Sequence, residues 1–386
     1  MSNNQEAMRL SSSAAHFIGL AFAGIYVSSL YVSKYCRIAF ASATPPDYAE
    51  GSKSRLQDFA RNGSGNSGRE EDTRRLGVQR RVSPRDIERN RGRDDPVVIR
   101  ERLSSVSCAT VLCIGLAFAV ISQVLHGKLD WDLLRNSVEN GSALLGLKLP
   151  PFRLSSFLPH LVIPTLFLGP LSALFLSCFT SSLSEGNIHP LLTDPFSLIV
   201  LRNYMIAPIT EELVFRSCIL AVYLLTLTQP DHPSAMSIIL LSPLHFGVAH
   251  LHHARETYKR LGRTQAALKR AVLQSTFQML YTTLFGALCA FLYLRGLPST
   301  STSYTEMETK SAYSYTLYES RTPSVYAPIS AHIFCNCMGF PDFAGDVKKG
   351  RMGLGRVGGI VVGVAYFLGL GLFGWMVWSE RGREFW

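Results

Sequence analysis

The chain has 386 residues, 47% of them hydrophobic and 17% charged, with a formal net charge of +10 and a slightly positive mean hydropathy. So small a charged fraction, with the apolar residues gathered in blocks, excludes a water-soluble packing. The 22 Phe, 15 Tyr and 4 Trp exclude disorder of the whole chain, and 8 Cys in so long a sequence exclude a disulfide scaffold, which leaves a polytopic membrane protein.

A bilayer core takes about 20 apolar residues per helix. By that measure apolar runs fall near 14–33, 104–125, 158–183, 196–209, 212–228, 235–251, 271–295, 326–340 and 356–378. The stretch from Phe196 to Leu227 contains Pro208, Glu211 and Glu212. Its two runs read as one helix entering and a broken or shared helix leaving, which makes about eight spans in all. The first run reads as a retained anchor. A cleaved signal peptide ending at Ala41-Ser42-Ala43 is the alternative, disfavoured by the long apolar core and by Arg9 as the single basic residue before it.

Residues 41–103 turn to Pro, Gly, Ser and alternating Arg, Asp and Glu with no apolar period, the composition of a disordered loop. Its arginines, among them Arg74, Arg75, Arg80, Arg81, Arg89, Arg91 and Arg93, are interleaved with acids and lack aromatic neighbours to stack on bases, so no nucleic acid partner is expected. Arg-rich loops stay cytosolic, which would put 126–157 in the lumen. Asn140-Gly141-Ser142 there is a glycosylation acceptor pattern, but Asn62-Gly63-Ser64 in the Arg-rich loop matches equally well. A second insert, 298–324, is rich in Ser, Thr and Tyr and reads as a flexible loop. The expected organisation is therefore an N-terminal anchor (1–40), the Arg-rich loop (41–103), preceding membrane helices (104–194), a membrane core (195–341), and a C-terminal membrane helix with a short tail (342–386).

Cys108, Cys113, Cys178, Cys218, Cys289, Cys335 and Cys337 sit in or beside apolar runs and read mostly as buried thiols, and no CxxC pair occurs. Cys335 and Cys337 stand out because they flank Asn336 and follow His332, although a reactive thiol needs an electropositive, partly exposed setting.

An ionisable side chain at membrane depth costs about 2.5–3.5 kcal/mol on insertion scales, so it is rarely kept without a partner or a use. Three segments carry such groups. In the first, Thr210-Glu211-Glu212 after Pro208 reads as a helix start, with Thr210 as cap and the acids at the positive end of the dipole. Glu212 and Arg216 are one turn apart and can pair, whereas Glu211 points elsewhere with no local counter-charge. Cap and ion-pair roles at a membrane interface would suffice for Glu212; an unpaired Glu211 is suited to taking a proton from water. In the second, Phe246 and His250 are one turn apart, so the ring can wall the pocket in which the imidazole works, while His245, His252 and His253 read as interfacial. In the third, His332 and Asn336 share one face of a short helix bounded by Pro328 and Gly339, either as working groups or as polar glue between helices.

A water-activating carboxylate with imidazole and amide donors fits hydrolysis of an acyl bond, and in a membrane the substrate would be a lipid-attached peptide or ester. Zinc is the competing reading. HExxH is absent, yet distant Glu and His residues can still share a metal. A non-catalytic scaffold or lipid-binding protein, using these residues only to lock helices together, is the other.

Glu211-Glu212-x-x-x-Arg216, Phe246-x-x-x-His250 and His332-x-x-x-Asn336, in that order on successive hydrophobic helices, resemble the three motifs of the CAAX prenyl protease 2 family, the Ras-converting type. The flanks agree: Asn203-Tyr204 with Ala207-Pro208-Ile209, Phe246-Gly247 with Ala249-His250 and His252-His253, Phe277-Gln278 with Tyr281 to Gly286, and Met338-Gly339-Phe340-Pro341. The similarity covers roughly 195–341, and neither insert interrupts a motif.

The resemblance implies an all-α polytopic membrane protein of the endoplasmic reticulum, with a conical polar active-site cavity open to the cytosolic side. It implies an endopeptidase that removes the aaX tripeptide from farnesylated or geranylgeranylated CaaX proteins such as small GTPases, held in part by membrane lipid contacts. It makes Glu211 the base that activates water, helped by His250, with His332 and Asn336 at the oxyanion and with Glu212, Arg216 and Phe246 in support. No metal or cofactor is implied, and Cys335 is not the nucleophile. The basic stretch Arg255, Lys259, Arg260, Arg263, Lys269 and Arg270 would attract anionic lipid or the substrate's carboxylate, or simply form a solvated cytosolic face.

Overall fold

The computed structural model describes residues 10–32, 36, 93–126, 141–150, 152, 154–179, 194–226, 233–295 and 323–378. The expectations for 41–92, for the acceptor patterns at Asn62 and Asn140, and for 298–322 lie outside the described residues. Among the described residues every regular element is helical, in keeping with the all-α membrane protein expected. Large apolar side chains such as Leu273, Phe277, Leu284, Phe367 and Leu370 cover the outside, which suits lipid as the surrounding solvent.

Helix α1 (Ser12–Val32) lies against α2 (Pro96–His126) and buries Phe22, Ala23 and Tyr26. The start of α2 is set by Asp95, whose Oδ1 accepts from the Val97 and Val98 N–H groups at 2.8 and 3.3 Å, and by Pro96, which has no N–H to satisfy. Residues 96–103, read as loop from their charge, are thus the first turns of α2. Helices α3 (Leu154–Leu166) and α4 (Leu168–Phe179) stand in for the single run expected over 158–183, bent by 77° at Phe167, where Pro170 leaves the Leu166 carbonyl without its helical donor.

The centre is α5, which runs over 198–226 and is wider than α-helical in two places. Its α-helical parts, Leu198–Leu201, Ala207–Glu212 and Ile219–Thr226, are joined by π-turns at Arg202–Ile206 and Leu213–Cys218. A proline ring clashes with the carbonyl four residues before it, and widening the turn ahead of Pro208 accommodates the ring without breaking the helix. The helix start expected at Thr210 is therefore not there. Thr210 is inside the helix, with its hydroxyl donating to the Ile206 carbonyl at 2.8 Å and accepting from Tyr26 of α1 at 3.0 Å. All of Ile219–Thr226 is buried, as a helix apolar on every side must be.

The chain continues through α6 (Ala235–Leu241), α7 (Pro243–Ala249) and α8 (His252–Arg260), with Ser234 capping α6. Helix α9 (Gln265–Leu294), capped by Thr264, crosses α7 and α8. Helix α10 (Tyr326–Met338) packs on α3, α5 and α9. Helix α11 (Phe343–Trp378) kinks at Leu354 and Gly355, so that its first part returns along its second and Tyr366 donates to Asp346 at 2.7 Å.

Among the described residues, five helical stretches are long and apolar enough to cross a membrane, namely α1, α2, α6 to α8 taken together, α9 and α11, or six if the bent pair α3 and α4 counts as one span. The expectation of eight also included α5 and α10. The first carries Arg202, Glu211, Glu212 and Arg216, and the second has only 13 residues; both sit inside a wall of longer helices. Cysteines 36, 113, 218 and 289 are buried, Cys335 and Cys337 partly so, and Cys108 and Cys178 are exposed on apolar outer faces.

Gly369 of α11 faces α3 so closely that a Cβ would lie 2.5 Å from the Thr165 carbonyl oxygen. Gly369→Ala should cost about 1–3 kcal/mol by overpacking. Gly371→Ala, where a Cβ meets nothing within 4 Å, should leave stability unchanged or slightly higher, as read by thermal unfolding in detergent.

Candidate active site

Three helices deliver the polar residues to one place. On α5, Glu212 is fully buried and its Oε1 lies 3.0 Å from Nη1 of Arg216, the one-turn pair expected from the sequence. The same oxygen accepts from His332 Nδ1 of α10 at 2.7 Å. The Arg216 guanidinium lies 4.4 Å above the Phe246 ring of α7 and also faces Phe285 of α9. This approach of α9 requires Gly286: a Cβ there would sit 2.8 Å from Pro243 and 3.2 Å from Arg216.

Phe246 is the hub of the apolar walls. Its ring meets that of His250 edge to face at 4.5 Å, Phe215 at 5.0 Å and His332 at 6.3 Å. His250 is therefore walled as the spacing implied. Its Nδ1 donates to the Phe246 carbonyl at 2.8 Å, which leaves Nε2 as the nitrogen with a free lone pair. His245 turns the other way, toward α1, with its ring nitrogens on the Ser242 and His16 carbonyls, while His16 also bonds Tyr223.

Glu211 differs from Glu212 in its surroundings. Its side chain is 21% exposed and its Oε2 lies 3.8 Å from His332 Nε2, so the expectation of no counter-charge holds along its own helix but not across to α10. It opens onto a cavity of about 130 Å³. The cavity wall also carries Phe246, His250, Arg93, Arg102 and Arg202. His332 lies behind Glu211 rather than on that wall, and Glu212 and Arg216 are sealed beneath it.

Asn336 is placed by the first π-turn. There the Ala207 N–H reaches back to the Arg202 carbonyl, and Pro208 has no N–H, so the Asn203 carbonyl has lost both helical donors that could serve it. Asn336 Nδ2 fills that gap at 2.9 Å. One amide N–H is thus spent on tethering α10 to α5, and the other remains. The sequence pattern paired Asn203 with the motif but gave no hint that its backbone, not its side chain, would hold Asn336. Tyr26, whose helix is remote in sequence, was also not anticipated on this cavity.

None of the basic residues Arg255, Lys259, Arg260, Arg263, Lys269 and Arg270 lines the cavity; the arginines that do are Arg93, Arg102 and Arg202. Among the described residues no group of three or more His, Cys, Asp or Glu is arranged to hold a metal ion.

Residues 193–300 match a family model described as type II CAAX prenyl endopeptidase, Rce1-like. The chain is 31% identical to human CAAX prenyl protease 2 over 295 residues, covering 73% of this chain and 71% of that protein. It is 35% identical to the Arabidopsis thaliana CAAX prenyl protease 2 over 170 residues, 44% of this chain and 43% of that one. It is 28% identical to a probable CAAX prenyl protease 2 of Schizosaccharomyces pombe over 255 residues, 66% and 73% of the two chains. No solved structure matches it.

Because Glu212 compensates a guanidinium that has no water to turn to, Glu212→Ala should destabilise the protein by about 3–5 kcal/mol. Adding Arg216→Met should recover most of that loss, as read by thermal unfolding in detergent and by the amount of protein retained in membranes.

Proposed function

The chain belongs to the CAAX prenyl protease 2 family, and on that premise we propose that it removes the C-terminal aaX tripeptide from farnesylated or geranylgeranylated CaaX proteins, with water activated by Glu211 as the nucleophile. Small GTPases are the substrates we expect, met at the cytosolic face of the endoplasmic reticulum membrane. The observation that carries the reading is the contrast between two adjacent carboxylates. Glu212 is locked to Arg216 and His332, while Glu211 faces the cavity beside His250 with no arginine paired to it among the described residues.

In this scheme Glu211 takes a proton from water as the oxygen attacks the carbonyl of the prenylated cysteine, and His250 Nε2 accepts the water's second hydrogen to orient it. The tetrahedral oxyanion is met by the remaining N–H of Asn336 and by Nε2 of His332. Since His332 Nδ1 already donates to Glu212, a second donation from Nε2 requires the imidazolium form. The C–N bond then breaks, and the proton held by Glu211 passes to the departing amine. The prenyl chain supplies binding energy at about 0.8 kcal/mol per buried CH₂, so the lipid tail holds the substrate while polar groups orient it.

Membranes containing the chain should release aaX from a prenylated CaaX peptide and leave its unprenylated twin intact. Glu211→Gln, nearly isosteric, should lower kcat by about 10²–10⁴-fold without loss of the folded protein. Cys335→Ala and a chelator wash should leave the rate within twofold. Release that survives in Glu211→Gln would refute the glutamate base, loss and recovery with chelator and added zinc would support a metal enzyme, and no cleavage of either peptide would favour a scaffold.

A further inference from the structure

Three guanidiniums stand on the wall of the cavity that Glu211 and His250 share. Two of them are fixed. Arg202 reaches Asp94 at 2.9 Å, the Arg93 carbonyl at 2.8 Å and Asn203 Oδ1 at 2.9 Å. Arg102 reaches Glu256 at 3.3 Å and the Cys36 carbonyl at 2.7 Å, and Glu256 is held in turn by His253. Arg93 makes no ion pair within 4 Å among the described residues; its charged neighbours are Arg202, Glu256, Arg102 and Asp94. Arg102 and Arg202 are thus each ion-paired, to Glu256 and Asp94, and Arg93 is the arginine of this wall whose guanidinium makes no ion pair among the described residues.

We propose that Arg93, backed by Arg102 and Arg202, forms the subsite for the free C-terminal carboxylate of the substrate peptide. The inference rests on the reaction proposed above and adds where the tripeptide ends. Distance supports it: Arg202 and Glu211 are nine residues apart on α5, about 13 Å along the axis, and three extended residues span about 10–11 Å. Direction supports it as well. Nine residues make two and a half α-helical turns, which would put the two side chains on opposite sides of the helix. The wide turn at Arg202–Ile206 takes up one residue, or about 100°, which leaves the two side chains about 80° apart, so both reach the same cavity. A carboxylate is the ligand whose two oxygens match a guanidinium fork, and Arg93, with its side chain exposed at the turn before α2, is free to close on it.

The test compares a prenylated CaaX peptide ending in a free acid with the same peptide ending in an amide. The native chain should cleave the acid with a kcat/KM at least tenfold higher, mainly through KM. Arg93→Ala should reduce that preference to about twofold by weakening the acid alone, and Arg93→Lys should restore part of it. Arg93 contributes its carbonyl, not its side chain, to the Arg202 contacts, so neither variant removes them. Equal use of acid and amide by the native chain, or an equal loss for both in Arg93→Ala, would overturn the subsite. Binding of the two peptides is measured in parallel by competition with a fluorescent prenylated peptide. Preferential binding of the acid without cleavage would refute the hydrolytic reading and leave the carboxylate subsite standing.

Discussion

One oxygen ties the site together. Oε1 of Glu212 receives both the Arg216 guanidinium and the His332 imidazole, and through them it joins the two turns of α5 that matter to α10. A buried carboxylate and guanidinium are costly unless they satisfy each other, and here the Phe246 ring beneath the cation supplies a further contact that water cannot contest. The consequence is positional. With His332 fixed at Nδ1, its other nitrogen is turned to the side of Glu211, and with Phe246 fixed under Arg216, His250 is held at the cavity wall. The pair at the bottom does no chemistry in this scheme; it decides where the groups above it stand.

The same division of labour explains which parts of the site could be read from residue spacing. Partners on one helix were legible: Glu212 with Arg216 and Phe246 with His250 follow from a repeat of 3.6 residues, and both are present. Partners on different helices were not, because spacing says nothing about what lies across a helix interface. The reach of His332 to Glu211 and Glu212, and the position of Tyr26 on Thr210, belong to that class. Local rules also misled where tertiary packing outweighed them. Thr210 after Pro208 has the composition of a helix start, yet the helix passes through by widening, because apolar neighbours on all sides reward an unbroken rod. At the front of α2 the error ran the other way: charge pointed to loop, while Asp95-Pro96 carried a start signal that composition obscured.

Membrane spans were legible as apolar blocks and illegible as a count. Hydropathy finds helices that meet lipid, and α5 and α10 meet mostly protein. Such inner helices are where polar residues can be stored, since the surrounding helices, and not the lipid, set the local environment.

Each wide turn of α5 holds one residue more than regular helical winding would need. Loss of a single codon within either wide turn would restore regular winding and keep the flanking side chains in phase, whereas loss of one between the two turns, within 207–210, would not. Every side chain after such a deletion would swing by about 100° relative to those before it, parting Arg202 from the Glu211 face. Length between the wide turns is thus as constrained as residue identity, and the freedom to gain or lose residues falls to the turns themselves and to the connections between helices.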